Sequence, residues 1–275
     1  LKRVRVRTVG ATLSGAEEWH GLLAELAHVI VEAERAHRVL GELRVIAQRS
    51  LWLKGDHLPG SARWRYSLKR ALAIPTPRER EARNLSWMRE RLFRAPKPLA
   101  AAALLRRGVV RYQLLALEPL PAHRPLSDAL ASARAEERRA WLDELACEVA
   151  RLHSLHFVHR DLFLRNVLVS SDLQGSDPRH LVFLDAWHGP FPTPGRGVSY
   201  DLACLMVDGA GLLTREEQAR WLARYAAERA AQGRAVELRK LLPSIAAHRS
   251  SLVVRRNARG GVAVPTDWNW TDLNP

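Results

Sequence analysis

Asp161 stands in the stretch "LHSLHFVHRDLFLRNVLV" (152–169), with His159 and Arg160 before it and Asn166 five positions after it. A Val-Leu-Val run follows, the pattern of a short buried strand. A carboxylate and an amide at that spacing, on a loop pinned by a strand, allow both to face one centre. The carboxylate can orient a hydroxyl and take its proton late in a transfer, while the amide oxygen can share a divalent cation. That chemistry is phosphoryl transfer, which asks for positioning and charge neutralisation more than for covalent catalysis.

Such a transfer also needs a lysine for the nucleotide phosphates, a helix carboxylate to hold that lysine, and a second metal-binding acid. The chain offers them in order. Lys54 ends a strand-like "SLWLK", Glu81 lies in the helical "REREARNLSWM", and Asp185 ends the strand-like "LVFLD". Lys69, in the helical "RWRYSLKR", competes with Lys54 but reads as a surface or substrate-facing residue. Glu79 competes with Glu81 on the same helix. Glu118, at the start of an apolar connector near 117–126, joins Lys54, Asn166 and Asp185 as a cofactor-binding candidate. His159 and Asp201 are expected to buttress the loop by hydrogen bonds, His153 to pack at a helix end, and Trp187 to line the site beside Asp185.

The elements that must position these residues follow from periodicity. Residues 15–40 carry apolar side chains at three- and four-residue spacing and predict a helix. Residues 42–55 alternate and predict two short strands, and helices are predicted over 61–73 and over 78–94, the latter opening after "PTP". A strand is predicted over 108–120, stopping at Pro119, then two helices, the second over roughly 137–156. After the loop motif come a polar turn "SSDLQGSDPRH", a strand over 181–187, a Pro/Gly loop, and mostly helix over 199–230. The tail from about 231 reads as helix and then irregular chain. This is a small strand-rich part followed by a mainly helical one, an organisation in which ligands usually bind in a cleft between lobes.

Composition narrows the class. The 275 residues are 47% hydrophobic and 26% charged, as in a globular protein that can bury a sizeable core. No apolar run reaches the ~20 residues of a membrane helix. The opening "LKRVRVRTVG" lacks the apolar core of a secretory signal. Two widely spaced cysteines, Cys147 and Cys204, predict core thiols in a reducing compartment and no metal site. The net charge of +14 predicts attraction to phosphate-rich partners: nucleotides, nucleic acid or anionic lipid. Arginine- and alanine-rich usage also arises from coding bias, so charge alone decides nothing.

The segment "HRDLFLRN" resembles the catalytic loop of the protein-kinase-like fold. Together with "FLDAW" and "SYDLACL", the stretch 152–169 resembles the bacterial lipopolysaccharide-core kinase family, which phosphorylates heptose or 3-deoxy-octulosonic acid (Kdo) on the lipid A–core glycan. "REREARNLSWMRERLFRAPKPLA" is similar to that family's Glu-bearing helix and the proline-containing strand entry after it. The resemblance covers roughly residues 42–230. It implies an α+β, protein-kinase-like two-lobed fold: an N-terminal helical extension (1–41), an N-lobe with a small antiparallel sheet (42–120), and a mainly helical C-lobe with a C-terminal tail (121–275).

It further implies a kinase using ATP and Mg2+, with Lys54 on the α/β-phosphates and paired to Glu81, Asp161 at the acceptor hydroxyl, and Asn166 and Asp185 on magnesium. The implied partners are a glycolipid substrate and an anionic membrane surface, with no specific nucleic acid, at the inner face of the cytoplasmic membrane. Departures stand beside the likeness: no Gly-rich loop precedes Lys54, "DAW" replaces "DFG", and His156 takes a place where the family often has Gly. About fifteen residues separate Asp185 from Asp201 without an A-P-E sequence, too few for a peptide platform and enough for a small or glycan acceptor. The alternatives are an atypical protein kinase, another small-molecule kinase of this fold, or a non-catalytic module binding anionic lipid or nucleic acid. Arg160 counts against the aminoglycoside/choline type, whose loop is His-Gly-Asp in style.

Overall fold

The computed structural model describes residues 3–8, 16–170, 180–186, 189–190 and 197–258. The chain divides between Pro121 and Ala122 into a small and a larger unit.

The small unit is built on a five-stranded antiparallel sheet ordered β1-β4-β5-β3-β2. Its strands are β1 (Arg3–Thr8), β2 (Leu40–Ile46), β3 (Arg49–His57), β4 (Pro98–Arg106) and β5 (Val109–Leu117). Strand side chains alternate between faces, so each face needs its own cover. One face carries Leu51, Leu53, Ala100, Ala102, Leu104, Tyr112, Leu114 and Ala116, all buried. Helix α1 (Ala16–Arg35) closes it with Leu22, Leu26, Ile30 and Ala33, the three- and four-residue spacing that faces one way on a helix. The segment ahead of residue 42 thus enters the small unit twice, as a helix over the sheet and as its edge strand. The opposite face packs against α2 (Gly60–Ala71) and α3 (Pro77–Glu90).

Local chemistry sets the boundaries. α3 opens with a capping box in which Thr76 Oγ1 accepts from Glu79 N–H and the Glu79 carboxylate accepts from Thr76 N–H at 2.8 Å, with proline at the first helical position. β2 and β3 are joined by Ala47 and Gln48, both left-handed (φ 46° and 61°), the twist that a two-residue hairpin favours. Glu25 on α1 steadies this turn by accepting from Ala47 N–H at 2.9 Å. Gly55 on β3 lies where a Cβ would sit 2.6 Å from the Tyr112 hydroxyl, so only glycine lets that ring cross the sheet.

In the small unit, three features differ from the sequence reading. β3 continues three residues past Lys54, which therefore lies within the strand rather than at its end. β1 and β4 have no counterpart in the periodicity, although the resemblance implied a strand entry at the prolines near 96–98. β4 is "PLAAAALLR", and alanine favours helix; here β4 lies between two strands with its four alanines all buried, where small residues fit.

The larger unit contains α4 (Leu126–Ser132), α5 (Ala135–Ser154), a three-stranded antiparallel sheet of β6 (His123–Pro125), β7 (Val167–Ser170) and β8 (Leu181–Phe183), and then α6 (Gly197–Gly209), α7 (Arg215–Ala231) and α8 (Leu238–Asn257). Here too the sequence reading is corrected: β6 lies in the expected connector, and β8 stops at Phe183, two residues short of Asp185. α5 packs on α7, with Trp221 and Tyr225 of α7 stacked and buried, and α6 packs on α8. Cys204 is buried in α6 and Cys147 half-buried on α5; both are free thiols.

Candidate active site

In the small unit, Lys54 projects from the sheet face opposite α1 and donates from Nζ to Glu81 Oε1 at 3.0 Å. Glu81 is fully buried, and its second oxygen accepts from Arg78 Nη1 at 2.7 Å. Arg78 Nε continues the chain to Asp56 Oδ1 at 2.8 Å, and Gln113 Nε2 donates to the other Asp56 oxygen at 2.8 Å. A buried carboxylate is tolerable only when paired, and here two cations share it. Glu79 is committed to the helix cap, which leaves Glu81 as the Lys54 partner. Lys69 lies on α2 with its ammonium over the Tyr66 ring. Glu118 follows β5, its N–H donating to Lys97 O at 2.9 Å, and lines a cavity of about 840 Å³ with Leu43, Trp52 and Leu99; Lys54 is not among its walls.

In the larger unit, the end of α5 delivers the loop. His156 adopts φ 59°, its N–H bonds to His153 O, and Phe157 N–H bonds to Leu152 O. That is the Schellman end of a helix, whose left-handed residue is usually Gly. The position where the resembled family often has Gly is therefore one where the backbone asks for it.

Asp201 of α6, buried without exposure, accepts from His159 N–H and Arg160 N–H at 2.7 Å each. The same carboxylate lies 3.3 Å from His153 Nε2, and His153 Nδ1 is 2.9 Å from the Tyr225 hydroxyl. The assignment that satisfies both ends has Nε2 donating to Asp201 and Nδ1 accepting from Tyr225. The His159 ring is fully enclosed; burial pushes its pKa down despite Asp201 and Asp185, which favours the neutral ring.

This bracing fixes Asp161. Asn166 Nδ2 donates to the Asp161 carbonyl at 2.8 Å and to Asp161 Oδ2 at 2.9 Å, so the two candidates are in direct contact. Asp185, just beyond β8, has φ 54°, and Leu184 N–H bonds to Asn166 O at 2.8 Å, tying the two segments together. Burial pushes the Asp161 carboxyl above its ordinary range; Arg165 and Asn166 pull it down, while Asp185 and Asp201 push it up. Trp187 and most of the polar turn at 170–180 lie outside the described residues.

Among the described residues, no group of three or more His, Cys, Asp and Glu side chains is arranged to hold a metal. The donor set nonetheless fits a hard cation. The Asn166 amide nitrogen is spent on Asp161, leaving its oxygen for a ligand, and the Asp161 carboxyl, which the charge of Asp185 raises, is relieved by a bound positive charge.

Arg78 and Asp56 are not among the candidates that the spacing offers, although Arg78, three residues before Glu81 on one helix face, was the available signal. Nor are Arg165, Tyr200 and Arg255, which line a cavity with Asp161. Nothing in the sequence links α8 to that loop.

Comparison with known proteins places this arrangement. The family model described as "Lipopolysaccharide kinase (Kdo/WaaP) family" matches residues 29–196, more than half of the chain. No curated protein matches the sequence. Among solved structures, WaaP in complex with acyl carrier protein is similar at a TM-score of 0.51 and 18% identity, over 83% of this chain and 91% of that one. A glucosamine kinase (crystal form B) is similar at a TM-score of 0.50 and 11% identity, over 80% of this chain and 73% of that one. The fold is thus kinase-like, and the loop, the lysine–glutamate pair and the matched segment converge: the chain belongs to the lipopolysaccharide kinase (Kdo/WaaP) family and is a phosphotransferase with an alcohol group as acceptor.

Proposed function

We propose that the protein transfers the γ-phosphoryl group of ATP to a sugar hydroxyl, heptose or Kdo, of the lipopolysaccharide core or of a similar glycolipid. The observation that carries this reading is the Asp161–Asn166 contact on a loop braced through Asp201. In it, Asp161 orients the acceptor hydroxyl and accepts its proton, and burial makes the carboxylate a better base than an exposed one. Lys54, held by Glu81 and Arg78, neutralises the α/β-phosphates, with Glu118 beside the nucleotide. Asn166 and Asp185 hold magnesium, which when bound neutralises phosphate charge.

The reading includes work at the inner face of the cytoplasmic membrane, although no described helix is long and apolar enough to cross it. Support for a peripheral contact comes from α2. Trp64, Leu68 and the adjoining Leu72, four residues apart, are 64%, 69% and 70% exposed. Tyr66 packs inward, and Ser67 Oγ accepts from Val110 N–H at 2.8 Å, holding the opposite side of the helix to the sheet. Arg63, Arg65 and Lys69 flank the stripe, and no acidic residue occurs between Asp56 and Glu79. An apolar stripe bordered only by cations suits the headgroup layer of an anionic membrane.

The test is mass spectrometry of lipopolysaccharide from cells deleted for the gene and complemented with wild type or Asp161→Asn. Wild type is expected to restore one phosphate on the core and Asp161→Asn to leave it missing at equal expression. Core phosphate that is unchanged by deletion would reject this acceptor.

A further inference from the structure

A cavity of about 470 Å³ opens beside Asp161 in the larger unit, of the size that takes a small organic ligand. Asp161 lines it together with Arg165, Tyr200, Arg255 and Arg256, and Leu252 adds an apolar wall. A site that only had to orient a neutral sugar hydroxyl needs no three guanidinium groups there.

Their partners show which charge is left over. Asp208, almost fully buried, accepts from Arg256 Nη1 at 2.6 Å and lies 3.4 Å from Arg165 Nη1, so one carboxylate serves two arginines. Arg165 is further held with its guanidinium 4.0 Å above the Phe163 ring centre. Arg255 donates from Nε to Ser251 O at 3.1 Å, and among the described residues no carboxylate pairs with it. Its remaining donors, close to the Tyr200 hydroxyl, form a planar fork suited to a phosphate or carboxylate.

We propose that this cavity is an anion subsite, in which Arg255 with Arg165 receives a phosphate or carboxylate carried by the acceptor sugar near the hydroxyl that is phosphorylated. The inference rests on the reading of Asp161 as the acceptor-facing residue. It sets an order as well: the step that attaches the acidic or phosphorylated group to the glycan comes before this phosphorylation.

The test uses the full chain without nucleotide and inorganic phosphate as the probe, with chloride at matched ionic strength as reference. Phosphate is expected to raise the melting temperature of wild type and of Arg239→Ala, an exposed control on α8, equally. Arg255→Ala is expected to lose at least half of that shift, and Arg255→Lys to keep more of it. With core glycolipid as acceptor, Arg255→Ala is expected to raise the acceptor KM about tenfold or more, the worth of a charge-assisted contact, and to leave the ATP KM unchanged. An unchanged phosphate shift or an unchanged acceptor KM in Arg255→Ala overturns the subsite. Activity retained by Asp161→Asn overturns instead the catalytic reading, so the two failures are distinguishable.

Discussion

Asp185 illustrates how much one residue's setting decides. Its left-handed backbone costs about 1–2 kcal/mol in a residue other than Gly, a strain usually kept where function needs the side chain aimed. In the proposed function it supplies, with Asn166, oxygen donors for a cation, and its charge raises the Asp161 carboxyl. ATP is therefore expected to raise the melting temperature in the presence of magnesium and much less after chelation, because a ligand bound only to the native state stabilises it by mass action. Asp185→Ala is expected to abolish the magnesium dependence, and an unchanged magnesium-dependent shift would remove Asp185 from the site. The Asp161–Asn166 contact was legible in the sequence because the two lie on one short segment at fixed spacing, whereas Asp185 stood out as an acid ending an apolar run. Arg255 was not legible, because its place beside Asp161 depends on α8 packing against α6, nearly a hundred positions along the chain.

Elements were legible where one period dominated. α1, α3, α5 and α7 follow their apolar spacing, and the Thr-Pro start of α3 marks its capping box. The alanine-rich β4 was hidden because intrinsic propensity favours helix while its place inside the sheet favours small strand residues. The C-terminal end of α5 is a sharper case: the departure from Gly at His156 was visible, but its meaning required φ 59°. His156→Gly is expected to stabilise the protein by about 1 kcal/mol, since Gly adopts this backbone without the Cβ penalty. In a chain of this size that corresponds to about 2–4 °C in the melting temperature. A fall in melting temperature would show that the His156 side chain supplies a compensating contact.

For the whole molecule, the charge of +14 alone predicts lipid association that disappears as salt rises. Under the proposed membrane contact, the apolar stripe of α2 adds a part that salt does not remove. Binding to phosphatidylglycerol-containing vesicles is expected to weaken but persist at high salt, and Leu68→Glu to lose the salt-resistant part. Withdrawing one large apolar side chain from the interface costs about 1.5–3 kcal/mol, roughly tenfold or more in partitioning. Vesicle binding that Leu68→Glu leaves intact would place the contact elsewhere. The central claim is the transfer itself, and its most direct measurement is movement of label from γ-labelled ATP to purified core glycolipid. Wild type is expected to label the glycolipid in a magnesium-dependent way, and Asp161→Asn to do so ~10²–10⁴-fold more slowly while still binding ATP. Equal labelling by Asp161→Asn, or no labelling by wild type, would contradict the account.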